Sequence, residues 1–449
     1  KPIPGRVSRA TWGCRAAYVT VHFDATADVT ITGGSGDDTI DMGGDFDDDD
    51  TLDGGDGEDT LEISQTGGLG EFNATNFEAV QVNTNIGADR TIDMDGVEGL
   101  TTISVEGTNN ANDGSHTHEL RDIATTATTI NFTGDGTDDV QEFDGVNVDY
   151  DSTSAVDSVT VNIGNDGTEA QDVVVHDLQL SNVTNISIVA TDIGTDTNEE
   201  LTVESALVAS DAESLSVESN SDVDMNGVTG STDLSDISVD GSGGVNFGTV
   251  SAFADGLTVT LGDGDDEITL SNASTNGSSI ETGAGDDIIG VGNDNDHEIA
   301  LGDGANTVNL LGGAQDDGAA LISNFDAGTG GDVLGFDASE VGGGVASALT
   351  NSVVNVAGAA SNSIIVDDAN TGYANFTAAE ADVEAQNAAT EDYILGFFNT
   401  SSNQIEFYAD ADSSAAGNGV LLATFDDVNS SGDADPVLQG LATQNFDVF

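Results

Sequence analysis

The stretch "GGSGDDTID", Gly33 to Asp41, is too rich in glycine and aspartate to make a helix or bury a core, yet the chain returns to it. It recurs as "GGDGEDTLE" (Gly54–Glu62), "TGDGTDDVQ" (Thr133–Gln141), "LGDGDDEIT" (Leu261–Thr269) and "TGAGDDIIG" (Thr282–Gly290). The common pattern is a nonapeptide with glycines near the start, Asp at the sixth place and a large apolar residue at the eighth. Glycine permits a tight turn whose carbonyls point inward, the Asp reaches the same space, and the apolar residue opens a strand that anchors the turn. The sixth-place aspartates are Asp38, Asp59, Asp138, Asp266 and Asp287, and their apolar partners are Ile40, Leu61, Val140, Ile268 and Ile289.

Between these turns run short segments of alternating apolar residues: Ala79–Val82, Thr101–Val105, Thr128–Phe132, Val159–Ile163, Asn185–Val189, Ser214–Val217, Asp236–Val239 and Leu257–Leu261. Alternation points one face of each strand inward. Successive segments lie roughly 20 to 31 residues apart, the spacing of solenoid coils, which bury their apolar faces only by stacking. "IDMDGVEGLTTISVEG" (Ile92–Gly107) aligns with "VDMNGVTGSTDLSDISVDG" (Val223–Gly241), so the repeat is real. Proline occurs only at Pro2, Pro4 and Pro436, leaving the body free to donate ladder hydrogen bonds.

Charge limits the function. The chain has 83 acidic and 6 basic residues, a formal net charge of -77. Four of the basic residues (Lys1, Arg6, Arg9, Arg15) fall at the start, so a nucleic-acid surface, which needs clustered Lys and Arg, is excluded. An acidic chain that nonetheless carries strand signals calls for bound cations, and calcium accepts the mixed carbonyl and carboxylate oxygens of such turns. Halophilic adaptation also makes proteins acidic, but these aspartates concentrate in glycine turns rather than over surfaces. Cys14 is the sole cysteine, which excludes an internal disulfide and thiolate metal clusters. No apolar run reaches the length needed to span a bilayer, so membrane insertion is not expected. "SHTHEL" sets His116 and His118 two apart and reads as an exposed polar turn, while His22, His176 and His297 read as surface or packing residues.

These turns resemble the RTX (repeats-in-toxin) proteins. The resemblance implies a parallel β-roll whose calcium sites comprise Gly33, Gly34, Gly36 and Asp38; Gly54, Gly55, Gly57 and Asp59; Gly134, Gly136 and Asp138; Gly262, Gly264 and Asp266; and Gly283, Gly285 and Asp287. At Gly302–Val308 the sixth place is Asn306, which lacks the carboxylate of the pattern, and Asp47, Asp48, Asp49 and Asp50 read equally as an ion site or a solvated loop. "DYILGFFNTSSNQIEFYADADSSAAGNGVLLATF" (Asp392–Phe425) and the final "NFDVF" (Asn445–Phe449) are similar to the ends of RTX proteins exported by type I secretion. The Thr-, Ser- and Asn-rich coils between resemble bacterial surface-layer proteins.

The expected fold is all-β: a right-handed parallel β-solenoid with calcium-binding turns and a small β-rich C-terminal unit containing one short helix, capped by Thr377 and Glu380. The expected divisions are a basic connector or anchor (1–23), a calcium roll (24–66), solenoid coils (67–255), a second roll (256–331) and a C-terminal unit (332–449). The expected function is non-enzymatic: a secreted, extracellular structural protein that needs calcium and assembles with itself into a surface layer or filament. Residues 1–23 read equally as a processed end or as a contact to an acidic neighbour or anionic cell-surface glycan. A calcium-dependent adhesin is the first alternative. A β-helical polysaccharide lyase or epimerase is the second, disfavoured because the body has almost no basic residues to hold an anionic sugar.

Overall fold

The computed structural model describes residues 10–11, 18–20, 30–41, 50–63, 68–83, 88–106, 116–124, 126–133, 140–151, 156–164, 172–190, 200–271, 276–292, 296–311, 319–337, 353–355, 363–367, 372–386, 393–410, 419–426, 428 and 431–449. The turn at Gly134, Gly136 and Asp138 and the acidic run Asp47–Asp49 lie outside them. The chain divides into two compact units, residues 1–234 with 239–248, and residues 235–238 with 249–449.

The first unit is a β-solenoid of parallel strands, each pairing with the equivalent strand of the next coil. Its first sheet runs through Tyr18–Thr20, Thr39–Asp41, Thr60–Ile63, Ala79–Asn83, Thr102–Glu106, Thr129–Thr133, Val156–Gly164, Val183–Ala190 and Ser214–Ser219. A second sheet stacks Arg90–Asp93, Thr117–Ile123, Gly145–Tyr150, Leu178–Ser181, Leu207–Ala209 and Val228–Thr229. Two shorter ladders complete the coils, one from Ala10–Thr11 through Thr30–Thr32, Thr51–Asp53 and Asn73–Thr75 to Val97–Glu98, the other from Val140–Phe143 through Asp172–Val175 and Glu200–Val203 to Asp222–Asp224. The described parts of the basic segment 1–23 are strands that pair with the coil that follows. Strands also pair across the expected division at 66/67.

Burial follows the alternation. In Thr102–Glu106, Ile103 and Val105 are fully buried while Thr102, Ser104 and Glu106 face outward. The two halves of the internal repeat bury equivalent residues: Ile92, Met94, Val97, Leu100, Ile103 and Val105 in one, Val223, Met225, Val228, Leu234, Ile237 and Val239 in the other. Coil length between partners varies, from 19 residues where Thr60 faces Ala79 to 32 where Val146 faces Leu178. The slack is taken up in the connections, so the inward register is kept. Several corners use Asn in the left-handed conformation, which Asn tolerates better than most residues. Asn226, at φ 51, donates its side-chain amide to the carbonyl of Glu204, 22 residues earlier.

The second unit repeats the arrangement. One parallel ladder joins Thr258–Thr260, Ser279–Glu281, Glu298–Ala300 and Ala320–Ser323. The other joins Glu267–Leu270, Ile288–Gly292, Thr307–Leu311 and Val333–Phe336 and ends in Phe446–Val448, so pairing crosses the expected division at 331/332. Beyond it, Tyr393–Asn399, Gln404–Asp410 and Val420–Phe425 form an antiparallel meander, the last strand of which also pairs in parallel with Ala320–Ser323. The "NFDVF" end is folded into this unit: Phe446 stacks on Phe336 at 6.3 Å, and Asn445 donates to the carbonyls of Gly328 and Asp332.

Among the described residues the expected short helix is joined by a second. Helix α1 (Phe376–Gln386) packs Phe376, Ala379 and Val383 against Ile365, Tyr393, Leu395 and Phe397. Its cap is Asn375, whose Oδ1 accepts the Ala378 N–H at 3.0 Å, two residues before the expected cap Thr377. Helix α2 (Ser431–Gly440) escaped the sequence reading because "SGDADP" has the composition of a turn and Pro436 lies inside it. No described helix is long and apolar enough to cross a membrane.

If buried rungs hold the coils together, Ile103→Ala should cost about 2–5 kcal/mol through the cavity it leaves, whereas Ser104→Ala should change stability by less than about 0.5 kcal/mol. Denaturant melts of the two variants check this.

Candidate functional site

In a parallel ladder each main-chain N–H meets a carbonyl of the adjacent strand. At the glycine turns some N–H groups meet side chains instead. The Asp38 N–H donates to Asp59 Oδ1 at 2.7 Å, and the Asp59 N–H donates to Glu78 Oε2 at 2.7 Å. The second unit has a longer series: the Asp266 N–H donates to Asp287 Oδ1 at 2.9 Å, the Asp287 N–H to Asn306 Oδ1 at 3.1 Å, and the Asn306 N–H to Asp332 Oδ1 at 2.8 Å. The other carboxylate oxygen turns back on its own loop in several members, accepting from Gly34 at Asp38, from Gly262 at Asp266 and from Asp326 at Asp332. All six sixth-place groups (Asp38, Asp59, Asp266, Asp287, Asn306 and Asp332) are no more than 3% exposed.

The glycines allow this closeness. A Cβ at Gly54 would sit 2.0 Å from the Asn76 carbonyl oxygen and 2.7 Å from Asp59 Oδ2, and one at Gly283 would sit 2.0 Å from the Gly262 oxygen. Gly57 and Gly285 also adopt φ of 146° and 127°, values that side chains disfavour. Gly33, Gly36, Gly55 and Gly264 belong to the same stacked turns, with the Gly34 and Gly262 carbonyls accepting from Asp56 and Ala284.

The described residues expected to form calcium turns are thus brought together in two stacks, one in each unit. Sequence reading missed Glu78 and Asp332, which extend the stacks without the full glycine pattern. Their signal is an acid two places before a buried aliphatic residue, Val80 and Leu334. It also missed an exposed second ladder of opposite polarity at the fifth place. There Glu58 N–H donates to Asp37 Oδ1, Asp286 N–H to Asp265 Oδ1, and Ala305 N–H to Asp286 Oδ1. Acidic doublets such as Asp265–Asp266 mark it in the sequence.

Stacking carboxylates is electrostatically unfavourable. Two unit charges one strand spacing (~4.8 Å) apart repel by about 3 kcal/mol at an effective dielectric near 20. Burial raises the Asp59 carboxyl above its ordinary value, opposed by the Asp38 N–H and reinforced by Asp38, Glu78 and Asp37. Burial likewise pushes Asp287 up to about 6, opposed by the Asp266 N–H and Thr282 and reinforced by Asp265 and Asp286. At both residues Oδ2 is buried with no hydrogen-bond partner. A buried, unpartnered carboxylate oxygen beside further acids and main-chain carbonyls fits a hard cation. Among the described residues no three side chains of His, Cys, Asp and Glu converge as a metal cluster, so an ion here would draw most of its shell from main-chain oxygens, as calcium does.

The histidines depart from the expected exposed turn. His118 lies in the strand Thr117–Ile123, fully buried, with Nε2 3.7 Å from Asp144, opposite buried Arg90. His116 is partly exposed, 3.4 Å from Asp89. His297 is buried, and its Nδ1 accepts the Ser278 N–H at 3.0 Å, so burial lowers its pKa to about 4.

No family model matches the chain, and neither curated proteins nor solved structures yield a match.

The shifts fix a pH signature. Asp287, raised from 3.8 to about 6, favours folding fully below pH 3.8, and that contribution is lost as pH rises through about 6. His297, lowered from 6.5 to about 4, acts oppositely: its contribution is present above pH 6.5 and is lost as pH falls through about 4. In chelator at high salt, where screening keeps the chelated protein folded, Asp287→Asn should therefore raise the melting temperature at pH 7.5 and change it little at pH 4. Melts of parent and variant at both pH values measure this, because the His297 contribution cancels between them.

Proposed function

We propose that the protein is a secreted, non-enzymatic structural protein whose coils are stiffened by calcium and which assembles with itself at the cell surface as a layer or filament. The observation that carries this reading is the pair of buried carboxylate stacks with unpartnered oxygens at Asp59 and Asp287. In the reading, Asp38, Asp59, Asp266 and Asp287, with carbonyls of the adjoining glycine turns, hold the ions. When bound, calcium supplies positive charge that neutralises the stack. The residues' own part is to fix the turn: each carboxylate holds the main-chain N–H of the preceding coil, and neutralising the stack would relieve the repulsion between successive carboxylates. The RTX resemblance and the surface-layer texture of the coils support export and extracellular placement, where calcium is plentiful.

Self-assembly is supported by architecture. A stack of near-equivalent coils presents repeating faces suited to repeated contacts. The folded C-terminal strand Phe446–Val448 gives the second unit a paired sheet down to its last residues.

Chelation at low salt should remove most of the β signal in circular dichroism, and restoring calcium should return it. Asp59→Asn and Asp287→Asn should each weaken the calcium-induced rise in melting temperature, even though Asp287→Asn stabilises the chelated protein. Electron microscopy should show ordered sheets or filaments with calcium and none without. An unchanged β signal after exhaustive chelation would refute the ion's role.

A further inference from the structure

The outward face of the first sheet in the first unit departs from the acidity of the chain. Its side chains stand in rows, residue opposite residue on successive strands. One row is Ala79, Thr102, Thr129, Thr160, Ser187 and Ser216. The next is Gln81, Ser104, Asn131, Asn162 and Val189. None of these positions is charged, in a chain with 83 acidic residues. Acids frame the patch instead, with Glu62 and Glu218 at the ends of the second row and Glu106 at its side. The rows are knit by their own amides: Asn162 Nδ2 donates to Asn131 Oδ1 at 2.8 Å, and Gln81 Nε2 to Glu106 Oε2 at 2.7 Å.

The second sheet of the same unit is different. Its outward positions include Asp93, Glu119, Arg121 and Asp149. Asp122 beside them has its carboxyl raised by burial and then by Asp93, Asp149, Asp95 and Asp151.

We propose that the neutral Thr/Ser/Asn face is the lateral contact between copies of this chain, packed against the same face of a second copy. The inference rests on the self-assembly reading and names its contact surface. Charge selects the occupant: copies carrying -77 each repel within the ~8 Å screening length of physiological salt, and the cheapest close approach is through a face without charge. Repeat selects it too. The rows recur every ~4.8 Å along the stack, and a second copy carries the same repeat, so hydroxyls and amides can match row for row in an isologous contact. Six strands span roughly 24 Å at that spacing, and two rows make a patch well below the ~800 Å² per partner of a stable complex. A single contact is therefore weak, and order arises when many act together.

The test uses the full calcium-loaded chain. The double variant Ser104→Glu with Asn162→Glu places like charges on the face, and Gln179→Glu with Thr229→Glu adds the same charge to the second sheet at the same strand separation. Circular dichroism should show both folded. The face variant should begin to assemble, by sedimentation velocity, only at concentrations about tenfold or more above the parent's, a shift equal to about 1.4 kcal/mol, while the second-sheet variant follows the parent. As an independent readout, Asn131→Cys in a Cys14→Ser background should give covalent dimers with a short bismaleimide. Assembly of the face variant at the parent's concentration, equal loss in the second-sheet variant, or intact assembly without cross-linking overturns this inference alone. A parent that stays monomeric with calcium overturns the self-assembly reading as well.

Discussion

Everything in this structure depends on one substitution in a hydrogen-bonding pattern. Parallel strands pair coil to coil through main-chain groups, but at a tight glycine turn the chain curls away and one N–H loses its carbonyl. A carboxylate from the next coil takes that place, as Asp59 does for Asp38 and Asp287 does for Asp266. The arrangement binds successive coils and, in the same act, lines up buried negative charge. Asn306 shows that the hydrogen bond alone can be made by a neutral side chain, so the repeated choice of Asp asks for a second purpose, and cation binding is the one we propose.

The charge problem also organises the outside. In the assembly we propose, acids that are useful in turns become an obstacle wherever copies of the chain touch. The first-sheet face, where hydroxyl and amide rows replace carboxylates, removes that obstacle locally while leaving the turns acidic. Turn chemistry and surface chemistry are thus two consequences of the same composition.

How much of this was legible in the sequence depended on alternation and on glycine. The first-sheet strands stood out because pairs such as Ile103 and Val105, or Leu215 and Val217, alternate with small polar residues. The second sheet did not, because Thr117–Ile123 carries Glu119 and Arg121 outward and His118 inward, so its polarity hides a strand. The sixth-place aspartates were readable from their glycines. Glu78 and Asp332 were not, since "NFEAV" has no glycine and "GGDVL" sets a glycine directly before the acid, where the recognised turns have none, leaving the acid and the aliphatic residue two places on as the shared signal. The helix cap slipped from Thr377 to Asn375 because both residues can cap, and packing of Phe376 against Tyr408 brings the earlier residue into the helix.

The central claim is that a cation holds the carboxylate stacks and, through them, the coils. Amide hydrogen exchange at Asp38, Asp59, Asp266 and Asp287, followed with calcium and after chelation, tests it most directly, because these are the N–H groups that the stacked side chains hold. Strong protection with calcium that falls by orders of magnitude in chelator is the predicted result. Equal protection in both conditions would mean that the hydrogen-bonded stacks stand without an ion, and would contradict the account.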